Sequence, residues 1–161
     1  MKQSTTMFLQ GVIILFGIGA IAVLTLLPLT EGRAANLDLL SIYTDPFILF
    51  CYVASIPFFI VLYKMFNLLG NIRQGIAFSV ISVRTLRAIK LYSVLLNILI
   101  LIAGLYILLY HDKEDDPAGF LSLCIISTLL ILLFVTAVTV VEKTLKKGLE
   151  KRSDYEQSIK Q

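Results

Sequence analysis

Four stretches of the chain, Met7 to Leu29, Pro46 to Tyr63, Leu91 to Tyr110 and Pro117 to Val141, contain no Asp, Glu, Lys or Arg. A helix that crosses the hydrocarbon layer needs about 20 apolar residues, because the layer is about 30 Å thick and each residue rises about 1.5 Å. Three of the stretches reach that length outright. The second reaches it when Lys64 extends its ammonium to the boundary and Met65 to Leu69 continue the helix. The expected spans are 7–29, 46–69, 91–110 and 118–141. These stretches are apolar on every side, unlike the one-sided helices of a soluble core. They also lack the ten-residue alternation of a membrane barrel. The expected fold class is an all-α integral membrane protein with four transmembrane helices, forming one domain over 1–161.

Between the spans, the polar segments divide by charge. Lys2, the middle connection (Lys64, Arg73, Arg84, Arg87, Lys90) and the tail (Lys143, Lys146, Lys147, Lys151, Arg152, Lys160) hold twelve of the 14 basic residues. Only Arg33 and Lys113 fall on the alternate loops. Basic short loops stay in the cytoplasm, so both termini and the middle connection are expected inside, in a cell membrane. Seven of the 11 acidic residues (Glu31, Asp38, Asp45, Asp112, Glu114, Asp115, Asp116) lie on the other side. The net charge of +3 therefore conceals a basic inner face and an acidic outer one. Anionic lipid is the expected partner of the basic face, at about 1 kcal/mol per basic residue near the surface. Arg84, Arg87, Lys90, Lys143, Lys146 and Lys147 are the candidate contacts for lipid or a partner protein. Topology control alone accounts for the same pattern.

Within the middle connection, Asn71, Gln74 and Gly75 suggest a turn and Ser79 a helix cap. Val80, Val83, Leu86 and Ile89 then keep apolar spacing, with Arg84, Arg87 and Lys90 three apart. This predicts an amphipathic elbow lying on the inner surface and running into the third span. The last span is expected to continue through Lys147 as the start of a basic tail, 142–161. Gly148 is a break point, and the polar run beyond Arg152 is expected to lack order. Tyr and Phe gather near the boundaries, where an apolar ring with a polar tip is favoured.

Candidate chemistry is sparse. The single histidine, His111, sits beside Asp112, and no second axial ligand for a bridging haem exists in the spans. It reads as a solvated loop residue before a pH sensor or metal ligand. The run Asp112 to Pro117 lacks the alternating acids and central Gly of a calcium hand, although it would attract divalent cations weakly. Cys51 and Cys124 fall at similar depth below the outer boundary, where a disulfide is permitted if their helices are neighbours. With no nearby base, they read as ordinary buried cysteines. Ser55, Ser93 and Asn97 are the candidate interhelical polar contacts; Ser93 and Asn97 share a face, and Asn97 is the most polar group deep in a span. No span carries an ionisable side chain of the kind that marks a transport path. Pro57 kinks the second span, as a static bend before a hinge.

The run Ser55-Ile56-Pro57-Phe58-Phe59 through Leu62-Tyr63, followed by Ala77-Phe78-Ser79, Ser82-Val83, Leu86 and Ile89-Lys90, resembles a domain-of-unknown-function family. Its members are small four-helix bacterial membrane proteins, often encoded beside a Cro/CI-like helix-turn-helix regulator. The resemblance implies the fold, the topology and a bacterial setting, but no mechanism. The family tail often ends in an acidic, apolar run, from which Ser158-Ile159-Lys160-Gln161 departs.

The expected function is that of a non-enzymatic membrane accessory protein, regulatory or concerned with envelope stress or self-protection. It would act on another membrane protein or on a second copy of itself, with no cofactor, metal or nucleic acid. The alternative is a small oligomeric transporter or channel, with Ser55, Asn97, Thr128 and Pro57 along its path.

Overall fold

The computed structural model describes residues 3–30, 43, 45–74, 79–110 and 118–158. They form four α-helices, and no strand occurs among the described residues: α1 (Gln3–Thr30), α2 (Pro46–Arg73), α3 (Val80–Tyr110) and α4 (Ala118–Ser158). All four are long and apolar enough to cross a membrane. His111, the Asp112 to Pro117 run, Gly75 and most of the first loop lie outside the described residues.

Every helix outruns its apolar core. With 28, 28, 31 and 41 residues, they measure about 42, 42, 46 and 60 Å at 1.5 Å per residue. The excess of α2, α3 and α4 lies at one end, which also holds most of the bases and is called the basic end below. Asp45 starts α2: its Oδ1 accepts the Phe47 N–H at 2.7 Å, while Pro46 occupies the first turn, where no backbone donor is needed. Ser79 starts α3 as expected, its Oγ accepting the Ser82 N–H at 3.2 Å.

The elbow residues form the first three turns of α3, and that stretch runs into the span. Its apolar face, Val83, Leu86 and Ile89, is buried in the protein, whereas Val80 points outward. Continuity keeps every internal backbone hydrogen bond, and burying that face adds packing that a lipid surface would not. Likewise α4 runs through Gly148 and Arg152 to Ser158 without a break. A helical Gly loses only about 1 kcal/mol against Ala, which neighbouring turns such as the Glu142–Lys146 pair help to offset.

α1 packs along α2, α2 along α3, and α3 along α4; no comparable packing joins α1 to α4 among the described residues. At the basic end, Val61, Leu86, Ile89 and Val138 form a buried cluster flanked by Met65, Leu68, Tyr92 and Phe134. At the opposite end, Phe47 stacks on Tyr106 and meets Phe120 edge-on, both with ring centres 5.7 Å apart, tying α2, α3 and α4 together. α3 and α4 approach closely at Gly104, where an added Cβ would lie 3.6 Å from the Cys124 side chain.

Candidate functional site

Directly below the basic-end cluster, one helical turn after Val138, stands Glu142. It is the first charged residue after the long apolar run of α4, yet only 5% exposed. Three cations close over it. Lys90 Nζ donates to Oε2 at 2.9 Å, Lys146 Nζ lies 3.3 Å from Oε1, and Arg87 Nε lies 3.6 Å from Oε1. Lys90 and Arg87 come from α3, and Lys146 from the next turn of α4, so the knot locks the overhanging parts of two helices side by side. The cations remain partly exposed, Arg87 most of all at 63%. Such a knot is worth about 1–2 kcal/mol and loses part of that in salt.

The six predicted basic contacts therefore separate. Arg87, Lys90 and Lys146 converge on Glu142, whereas Arg84, Lys143 and Lys147 are exposed on the flanks of the same two helices. With one carboxylate against three cations, the knot keeps a surplus of positive charge. Glu142 was not among the expected site residues. Lys146 four residues later is its only sequence signal, because the α3 partners are 52 and 55 residues away.

Above the knot, a cleft of about 1060 Å³ runs between the helices. All four contribute to its wall, from Val23, Phe50 and Phe120 near one end to Leu9, Leu68 and Phe134 near the basic end. Its side-chain polar atoms are confined to Ser55, Ser93, Ser127, Cys51 and Cys124. Cys51 and Cys124 both face this space and are held as thiols, not as a disulfide. The cleft is half open to its surroundings and not an enclosed cavity. Water has few partners on such a wall. In a membrane the cleft must be filled by something apolar.

α1 is the least embedded wall. It is held to α2 by Gln10, whose Nε2 donates to the Phe66 carbonyl at 3.4 Å near the basic end. Near the other end, the Tyr52 and Tyr43 hydroxyls donate to the carbonyls of Leu24 (3.2 Å) and Thr25 (3.3 Å). Because α1 lacks a packed seam with α4, the cleft opens along that line.

The expected interhelical polar contacts change their roles. Ser55 Oγ donates to the Tyr52 carbonyl of its own helix at 2.6 Å, the usual recourse of a serine among apolar neighbours. Ser93 is buried on the cleft wall. Asn97 Oδ1 is buried with no hydrogen-bond partner, as is Thr128 Oγ1 on α4. Pro57 is buried in α2. Among the described residues, no three of His, Cys, Asp and Glu come together as a metal site would require.

Comparison with known proteins places this arrangement in a family context. A family model described as "Protein of unknown function (DUF2975)" matches residues 28–159. The uncharacterized membrane protein YoaS of Bacillus subtilis (strain 168) is 28% identical over 161 residues, spanning 99% of this chain and 100% of that protein. No solved structure matches.

Proposed function

The chain belongs to the DUF2975 family of proteins of unknown function, and on that premise we propose that it is a non-enzymatic accessory protein of the bacterial cell membrane. In this reading its basic end faces the cytoplasm and engages a partner membrane protein, in a regulatory, envelope-stress or self-protective role. The observation that carries the reading is the knot at Glu142. It spends one buried carboxylate on holding the overhangs of α3 and α4 together, and so presents Arg84, Lys143 and Lys147 on a braced surface. A braced cationic surface suits recognition of an acidic partner, because little ordering is left for the moment of binding.

Co-purification in mild detergent from the native membrane tests it. A specific protein partner is expected with the intact chain, and replacing Arg84, Lys143 and Lys147 together by Gln should release it. Retention of the partner by that variant, with topology unchanged, would count heavily against the reading.

A transporter or oligomeric channel is the second reading, favoured by the unpartnered oxygens of Asn97 and Thr128. Such groups gain partners when a second copy or an aqueous path meets them. Liposomes holding the purified protein that pass no ion or small solute would remove it.

A further inference from the structure

We infer that Cys51 and Cys124 are an oxidisable pair, which a hydroperoxide converts into a disulfide that ties α2 directly to α4. The inference goes beyond the accessory reading and takes from it only the side of the membrane on which the pair lies. That side, away from the basic end, is the one that permits disulfides.

Helix register brings the two sulfurs to one level. Phe47, the second residue of α2, meets Phe120, the third of α4, with ring centres 5.7 Å apart. Both helices therefore start at the same end. Cys51 follows Phe47 by four residues and Cys124 follows Phe120 by four, so each thiol lies one turn further along the face that makes this contact. Counted from the helix starts, the two sit about 7.5 and 9 Å down their axes. Further along, Val61 of α2 and Val138 of α4 belong to one buried cluster, so the two helices keep this register toward the basic end. Both cysteines line the same cleft, and both are thiols.

Beside them, α3 offers little obstruction. Its Gly104 lies against Cys124, with room for a Cβ only 3.6 Å from the Sγ, and the neighbouring Ala103 is what α3 gives to the cleft wall at this level. A disulfide holds its Cα atoms about 4.4–6.8 Å apart. The half-open cleft leaves α2 and α4 space to make that approach.

The reaction balances with a hydroperoxide as its one co-reactant. The thiolate of one cysteine attacks the terminal peroxide oxygen, the O–O bond breaks, an alcohol leaves and a sulfenic acid forms. The second thiol then attacks that sulfur, the S–S bond forms and water leaves. Two electrons pass from the sulfurs to the peroxide, and the two thiol protons end on the alcohol and the water. No charged side chain lines the cleft, so neither thiol is an activated nucleophile. The advantage of the pair is proximity, which lets the second sulfur capture the sulfenic acid before more peroxide reaches it.

The test exposes the full chain in liposomes to cumene hydroperoxide, denatures it, blocks remaining thiols with a maleimide and reads mass and mobility without reductant. A monomeric chain that has lost both thiols and the mass of two hydrogens is expected, and dithiothreitol should restore it. Unfolding the chain in dodecyl sulfate before the oxidant is added should lower bridging about tenfold. Cys51→Ser with Val53→Cys moves the thiol two residues along to an outward position that is 59% exposed. Bridging to Cys124 should fall by a similar factor there, although the oxidant reaches that thiol more easily. Thiols that survive, a chain that gains oxygen instead of losing hydrogen, or a disulfide between two copies would overturn the inference. So would equal bridging in the unfolded chain or from position 53. None of these readouts involves a partner protein, so failure of the accessory reading is a separate result.

Discussion

The basic end of the molecule and the side bounded by α1 are built from equally apolar helices but held together in different ways. At the basic end, Ile89 is 1% exposed and Leu86 3%, and beneath them Glu142 ties two helices through three cations. Along α1, no residue of the strongly apolar window is buried, Thr6 near its start is the one buried side chain described, and its packing along α2 is supplemented by three hydrogen bonds, from Gln10, Tyr52 and Tyr43. In lipid there is no hydrophobic force between helices, so shape and hydrogen bonds decide which of them adhere. The difference separates a closely packed stem from a thinly attached wall.

Substitutions graded by expected size can break or sharpen that contrast. Ile89→Ala should do most harm, about 3 kcal/mol, because it leaves a cavity in the best-packed part of the protein. Unfolding monitored by circular dichroism in mixed micelles should show it, whereas Leu15→Ala on the outward face of α1 should leave the transition unmoved. Comparable losses from the two would erase the distinction. Glu142→Ala comes next, at about 2 kcal/mol, since three gathered cations lose their common counter-charge. Its effect should shrink as salt is raised, and Arg87→Gln, removing the most exposed partner, should remain below about 0.5 kcal/mol.

Smaller effects concern α1 itself. Gln10→Leu removes its latch near the basic end, worth about 0.6 kcal/mol for an average interhelical bond in a membrane. Global stability should barely move, but hydrogen exchange of α1 amides should quicken relative to α3. At Gly104, where an added Cβ meets only ordinary contacts, Ala should be tolerated within about 0.5 kcal/mol, while Leu should force α3 from α4 at Cys124. A disulfide trap between engineered cysteines on those helices would report the separation.

Much of this architecture is visible in the amino-acid order. The charge-free runs locate all four helices, the Ser79 cap is real, and the spacing of Val83, Leu86 and Ile89 identifies the buried face of early α3. The helix limits were less visible, because Gly148 and the polar residues after it lower helix propensity only slightly and neighbouring turns outweigh them. Glu142 carries little signal along the chain because its partners Arg87 and Lys90 lie on another helix. Ser55 and Asn97 show the same limit in reverse: their polarity is plain, but whether a second helix comes within reach depends on packing. The cleft could not be foreseen at all. Hydropathy is uniform around each span, so nothing along the chain distinguishes a face that meets protein from one that meets lipid.

The reach of α4 has an electrostatic consequence. Taken along its axis, Ser158 stands about 25 Å beyond Val141, and Lys151 about 15 Å. At physiological ionic strength the potential of a charged surface decays over about 8 Å. Lys143 and Lys147 at the root of the overhang therefore lie within about one decay length of the end of the apolar run, whereas Asp154 and Tyr155 near its tip lie two or more beyond it. One continuous helix thus carries two registers of charge, a lower one close to the end of the apolar run and an upper one too far out to share its electrostatic surroundings.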